Sequence, residues 1–132
     1  MHLELLVLCD AATDSAGKLN ILGAYDTIMA PSLPVRIQTL NFALRIRFPN
    51  AESGKHQVQL NLIDIDGKLI IPPFTAEVGV QIPKTQDSAA VNLILNGAGI
   101  TFPAAGTYRI DLLINNQTKG SIPLSIALQT KV

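Results

Sequence analysis

The dominant pattern along this chain is a regular alternation of apolar and polar residues. In residues 40–48 every second side chain is apolar, and the same period of two recurs in residues 58–62, 108–114 and 122–128. Such alternation is typical of half-buried β-strands, which turn one set of side chains to a core and the other to water. No stretch of useful length shows the i, i+3, i+4, i+7 spacing of an amphipathic helix. The sequence therefore predicts an all-β protein.

Turn-forming residues lie between the predicted strands, at 14–17, 50–54 and 115–120. Asp66-Gly67 is a tight-turn dipeptide and predicts a hairpin that joins strand 60–65 to a strand at 69–71. Roughly nine strands at this spacing predict a two-sheet antiparallel sandwich of the immunoglobulin-like type. Without a linker or internal repeat, the sequence predicts one domain over residues 1–132.

Three local features refine this prediction. Phe102-Pro103 leads through a glycine turn to Tyr108 at the start of a strongly alternating strand. This arrangement is typical of the tyrosine corner, in which the phenol bonds backbone upstream. Pro123 lies inside a strand pattern, which predicts an edge position or a bulge because proline has no N–H to donate. The Gly97-x-Gly99 segment is predicted to be a flexible connection, since no third glycine or helix follows it.

The chain also resembles an uncharacterised family of small bacterial β-sandwich proteins. The residues that carry the resemblance are Cys9-Asp10, Gly17-Lys18, Gly23-Ala24-Tyr25-Asp26, the Pro31 to Pro34 segment, Phe102-Pro103 to Tyr108, and Ile122-Pro123-Leu124. The resemblance covers most of the chain. It implies the sandwich fold and, because the family has no assigned activity, no catalytic residues.

Composition excludes several classes of partner. Ten basic residues balance ten acidic ones, so the chain lacks the positive charge that binds nucleic-acid phosphates. It has no tryptophan and only six Phe and Tyr residues, which disfavours stacking on sugars or single-stranded bases. No apolar run approaches the roughly 20 residues of a membrane-spanning helix. The first nine residues have no Lys or Arg and contain Glu4, so they read as a strand rather than a signal peptide. We expect a cytoplasmic protein.

No catalytic set is visible, so we expect no enzyme and no cofactor. The histidines are His2 and His56, and no serine lies in a Gly-x-Ser-x-Gly elbow. Cys9 falls in an apolar run, where a lone thiol is usually a small buried hydrophobe rather than a reactive group.

Carboxylates in turns give an alternative function. Asp10, Asp26, Asp64 and Asp66 are weak candidates for a calcium or small-ligand site, because calcium takes oxygen ligands that loops often supply. The same residues also favour turns for local hydrogen-bonding reasons. The structural explanation is the one we favour.

Apolar residues on the predicted polar faces are the leading functional clue. They are Leu6, Leu8, Ile63, Ile65, Ile94 and Leu113. A bulge could switch the parity of a strand and bury them, or they could form a subunit interface. We expect the interface, with a two-fold homodimer as the commonest form of assembly. The sequence thus favours a non-catalytic interaction or self-assembly module.

Overall fold

The computed structural model describes residues 1–129, so the last three residues of the predicted domain lie outside it. The all-β prediction is confirmed: the described residues form nine strands and one short 3-10 helix at Asn50–Glu52. The strands are β1 (His2–Ser15), β2 (Lys18–Tyr25), β3 (Thr27–Ala30), β4 (Val35–Pro49), β5 (Gly54–Ile63), β6 (Phe74–Val80), β7 (Ser88–Phe102), β8 (Gly106–Ile114) and β9 (Gln117–Leu128).

These strands form two sheets around a shared hydrophobic core. Sheet A has the order β2-β1-β4-β7, and sheet B has the order β3-β9-β8-β5-β6. The prediction of purely antiparallel sheets is wrong for one pair, because β3 runs parallel to β9. The chain passes from sheet A to sheet B at Asp26. β3 and β9 are therefore not joined by a hairpin. A hairpin would require antiparallel pairing, whereas strands joined by a crossover can pair in parallel.

The core consists of the apolar set of each alternating strand. Phe42, Phe48 and Phe102 are fully buried, together with Leu and Ile side chains from both sheets. Burying a side chain of this kind contributes roughly 1.5–3 kcal/mol relative to leaving it exposed. The period-two pattern of the sequence therefore corresponds to the burial pattern of the fold.

The predicted phenol–backbone bond of the tyrosine corner is confirmed. Tyr108 is only 5% exposed, and its hydroxyl donates a 2.7 Å hydrogen bond to the carbonyl of Ala104. Its ring packs edge-on against Phe102 with a centroid distance of 5.0 Å. The corner thereby fixes the entry of β8 into the core.

Two predicted connections differ from the structure. No regular strand follows Asp66-Gly67; residues 69–71 contribute a single bridge between Ile63 and Leu69, and β6 begins only at Phe74. Pro72 and Pro73 explain the delay, since neither residue can donate to a ladder. The Gly97-x-Gly99 segment is not a connection but part of β7, where Gly97 accommodates the ring of Phe74.

A bulge in β1 overturns the prediction for Leu6 and Leu8. The β1–β4 register shifts between Leu3 and Leu5, which leaves Glu4 as an extra residue on the bulged strand. The side chains that follow therefore change face. Leu6 and Leu8 are 7% and 0% exposed in the core of a single chain, so neither is available to a partner.

The β1–β2 hairpin does not continue sheet A outward but folds back over its outer face. We call residues 10–23 the strap. At its tip, the carbonyl of Gly17 accepts hydrogen bonds from Asn92 (3.1 Å) and Arg45 (3.5 Å), and Asn92 also donates to the Asp14 carboxylate (3.2 Å). Arg45 and Asn92 face each other across β4 and β7 on the side away from the core.

The strap explains why two outward-facing residues are buried. Cys9 and Ala43 lie on the outer side of sheet A, yet they are 1% and 0% exposed. At the base of the strap, Asn41 donates a 2.8 Å hydrogen bond to the Asp10 carbonyl. Opposite this point, Gly23 has a φ of 68° and lies directly against the Asp10 side chain. The strap is therefore a third layer, fixed at both its base and its tip.

Candidate functional site: the free edge of β7

The most distinctive surface of the molecule is the outer edge of β7. Within residues 1–129, β7 pairs only with β4, along a register that runs from Val35–Phe102 to Pro49–Ser88. Its other edge has no strand beside it, so alternate backbone N–H and C=O groups point to solvent. A row of unpaired backbone groups is a template for another strand.

β7 lacks the features that usually protect an edge. It is 15 residues long and contains no Asp, Glu, Lys, Arg or Pro. Charges, prolines, short length or a covering segment are the ordinary means by which native edges avoid pairing.

The other sheet edges do have such features. β3 is four residues long, and β2 starts at Lys18 and belongs to the bent strap. β6 contains Glu77, which forms an ion pair with Lys55, and it follows Pro72-Pro73. β7 is thus the edge of the described chain that is open to strand addition.

The side chains of β7 suit a partner on both faces. On the inner face, Val91, Leu93 and Leu95 are half-buried and pack against the core. On the outer face, Ala90, Asn92 and Ile94 alternate with them, and residues 88–95 are all half-buried. A strand added beside β7 would extend both faces, because directly opposed residues in a β-pair lie on the same side.

A polar network borders β7 on the outer face. Glu4, the bulged residue of β1, accepts hydrogen bonds from Arg45 (2.9 Å) and Arg47 (2.8 Å). These arginines also donate to Asn92 (2.9 Å) and Ser88 (3.0 Å), respectively. The hydrogen bond from Arg47, helped by Arg45 and opposed by desolvation, lowers the pKa of Glu4. The network connects the two arginines to β1 through Glu4 and to the side chains of Asn92 and Ser88 on β7.

The six interface candidates do not form one surface. Ile63 is only 7% exposed, so its prediction as a contact residue is wrong, as for Leu6 and Leu8. Ile65 is 87% exposed in the loop after β5, and Leu113 is half-buried on the outer face of sheet B. Of the six, only Ile94 lies on β7.

Three of the four candidate carboxylates, Asp26, Asp64 and Asp66, lie in connections, whereas Asp10 lies within β1. Asp64 accepts 2.9 Å hydrogen bonds from the backbone N–H groups of Asp66 and Lys68, and Asp26 accepts a 3.0 Å hydrogen bond from the Thr27 hydroxyl. Asp10 faces Gly23 at the base of the strap. Among residues 1–129, no three His, Cys, Asp or Glu side chains are grouped so as to hold a metal ion.

The remaining reactive side chains have structural partners. Burial, with a smaller contribution from the charge of Asp10, raises the pKa of the Cys9 thiol and favours its protonated form. One ring nitrogen of His56 lies 2.6 Å from the Glu52 carbonyl, and the other lies 2.9 Å from the Asn115 amide nitrogen. Since a carbonyl can only accept, Nε2 of His56 carries the proton and Nδ1 accepts from Asn115.

Sequence reasoning missed one polar group on the outer face of sheet B. Asp111 accepts hydrogen bonds from Arg109 (2.8 Å) and from the Ser121 hydroxyl (2.7 Å). Burial raises the pKa of Asp111, but these hydrogen bonds and the charge of Arg109 together lower it overall. The sequence pattern that could have identified this cluster is the i, i+2 spacing of Arg109 and Asp111, which places both side chains on one face of a strand. Because its members satisfy one another, the cluster is structural.

Sequence analysis also did not identify the free edge, because the local pattern of residues does not show which strands are adjacent.

None of the helical structure in residues 1–129 is long and apolar enough to cross a membrane. One family model matches the chain, over residues 4–127. No curated protein and no solved structure matches it.

Proposed function

We propose that this chain, which belongs to DUF6941, a family of unknown function, is a non-catalytic assembly module. It associates with a partner by adding a strand at the free edge of β7. Homo-oligomer formation is the outcome of this addition. The observation that carries the proposal is a 15-residue edge strand without a charge or a proline.

The physical basis of the proposal is that one backbone edge of β7 is exposed and unprotected. A long, apolar, unprotected edge promotes association, and native proteins seldom leave one open. Strand addition satisfies the backbone groups along the edge, while side chains on alternate positions supply packing and specificity. The half-buried Val91, Leu93 and Leu95 would lose their remaining exposure to water in the same step.

Light scattering and hydrogen exchange test this function together. We expect a mass above that of one chain, and slower amide exchange in β7 as protein concentration rises, with no such change in β6. A monomer at every concentration, with exchange in β7 independent of concentration, would contradict the proposal.

Ala90→Glu is a suitable blocking variant. Ala90 lies opposite Arg47 in the β4–β7 register, so the new carboxylate gains a cross-strand partner and the monomer keeps its stability. The same carboxylate places a charge beside the free edge and opposes association. Ala11→Glu, at an exposed position of the strap, is the matched control and should leave assembly unchanged.

Three finer assignments complete the proposal. An immunoglobulin-like relationship is supported by the hydrogen bond of Tyr108 to the Ala104 carbonyl. A cytoplasmic location and a bacterial family stay predictions, the first to be tested by cell fractionation. The calcium alternative has weaker support, because Oδ1 of Asp64 accepts two backbone N–H groups and no three acidic, His or Cys side chains of residues 1–129 are grouped around a common point. A rise in melting temperature at millimolar calcium would restore it.

A further inference from the structure

Resting on the assembly function above, we infer that β7 pairs with β7 of a second copy, antiparallel, about a two-fold axis at Leu93. Sheet A would then continue from one copy into the other, with four strands from each. The alternatives are a parallel arrangement, a different register, or contact through another surface.

Charge favours a second copy as the occupant. Two-fold symmetry brings residues near the axis against their own counterparts, so a charge there would face itself at short distance. β7 has no charged residue at any position. The charges beside the centre of β7 are Arg45 and Arg47 of the neighbouring β4, both bonded to Glu4. Across the axis, the two β4 strands that carry these arginines would be roughly 14 Å apart, three strand spacings, compared with a screening length of about 8 Å at physiological salt.

The backbone of β7 fixes the register. Directly opposed residues must share a face, so a residue can lie on the axis but a peptide midpoint cannot. The regular part of β7 starts at Ser88, after the exposed Asp87, and ends before Gly99, whose φ of 66° interrupts the extended conformation. The centre of residues 88–98 is Leu93.

This register gives matched pairs on both faces. On the inner face, Leu93 meets its own counterpart and Val91 meets Leu95 of the partner copy, which continues the apolar core across the axis. On the outer face, Ala90 lies opposite Asn96 of the partner copy. Neither of these outer residues is charged, and Asn96 is exposed in the single chain.

The same geometry explains why assembly stops at two. A two-fold contact uses the same surface on both copies and closes, whereas a head-to-tail contact propagates into fibres. After β7 is paired, the remaining edges are the short β3, the bent strap and β6 with Glu77. Each is protected against further pairing.

Cysteine cross-linking tests the register directly. In a Cys9→Ala background, the double variant Ala90→Cys/Asn96→Cys should form a covalent dimer under mild oxidation, because opposed β-carbons come within disulfide range. Each single variant should remain uncross-linked, since neither cysteine faces itself. In light scattering, the unmodified protein should have twice the mass of one chain.

The results of these experiments distinguish an error in the β7–β7 register from an error in the proposed assembly function. A dimer in which Ala90→Cys or Asn96→Cys alone cross-links efficiently would overturn the register at Leu93. A dimer in which no β7 cysteine cross-links and β7 exchanges freely would overturn both the inference and strand addition. Larger polymers that Ala90→Glu dissolves would keep strand addition but overturn the closed two-fold pair. Cross-linking of the double variant alone supports the inference.

Discussion

Replacing Gly23 by alanine should release the strap from sheet A. Gly23 has a φ of 68°, a conformation that costs an L-residue roughly 1–2 kcal/mol. A β-carbon at this position would also meet the side chain of Asp10, 2.8 Å from Cγ and 3.2 Å from Cβ, with the carboxylate oxygen closer still. Both effects act at the base of the strap, where β1 and β2 bend together.

The two contributions have different sizes and can be separated. Crowding in a packed site typically costs about 1–3 kcal/mol, and the exposed Asp10 carboxylate can turn aside to relieve part of it. We therefore expect Gly23→Ala to lose about 3 kcal/mol of folding or strap-closing free energy. In an Asp10→Ala background the loss should fall to about 2 kcal/mol, because the carboxylate is gone but the backbone strain remains.

Trypsin provides a local assay beside urea unfolding. Lys18, at the tip of the strap, is the only Lys or Arg in residues 1–35. If cleavage follows transient opening of the strap, a loss of 3 kcal/mol raises the cleavage rate on the order of a hundredfold. Circular dichroism during urea unfolding then shows whether the rest of the molecule is also destabilised.

Two results would refute this reasoning. Unchanged trypsin cleavage together with unchanged stability would show that Gly23 does not hold the bend. An equal loss with and without the Asp10 carboxylate would show that the contact with Asp10 contributes nothing. Gly17→Ala, at a turn position with open space around it, is the control for backbone strain without crowding.

Three further predictions concern stability. Tyr108→Phe should cost about 1 kcal/mol in urea unfolding for the lost bond to Ala104, against about 3–5 kcal/mol for Tyr108→Ala; equal losses would contradict the assignment. Ala16→Asn should add about 0.5–1 kcal/mol, because Ala16 has a φ of 51° in a tight turn that favours asparagine; a loss would contradict it. Because the pKa of Asp111 is lowered on folding, its contribution is present near pH 7 and is lost as pH falls below the usual value of 3.8. Asp111→Asn should therefore flatten the acid limb of stability measured against pH, and an unchanged limb would refute this.

Local patterns predicted the elements well but not their ends. The alternation around Phe42 and the glycine turn before Tyr108 specify strands and a corner, because both depend on neighbours in sequence. Pro123 lies where β9 is paired to β8 but not to β3, whose pairing starts only at Ser125. The predicted edge position is therefore correct for this part of β9, although β9 as a whole lies between β3 and β8. One failure lies at residues 69–71, where only a single bridge forms and Pro72 and Pro73 prevent a regular strand.

The candidate site was predicted less completely, and for a physical reason. The sequence singled out Ile94 as an apolar residue in a polar setting, but grouped it with Leu6 and Leu8, which the bulge at Glu4 turns into the core. A single extra residue reverses the face of every side chain that follows, so parity counted along one strand cannot detect it.

The sequence by itself determined that this chain forms strands, which side chains of its regularly alternating strands turn toward a core, and that residues 88–102 carry no charge. Only the tertiary structure decided that β7 is an edge, that the strap folds over sheet A, and that β3 lies parallel to β9. The physical reason is that strand formation depends on local periodicity, whereas strand adjacency depends on contacts between residues far apart in sequence. An edge is defined by the neighbour that it lacks, and no local pattern records that.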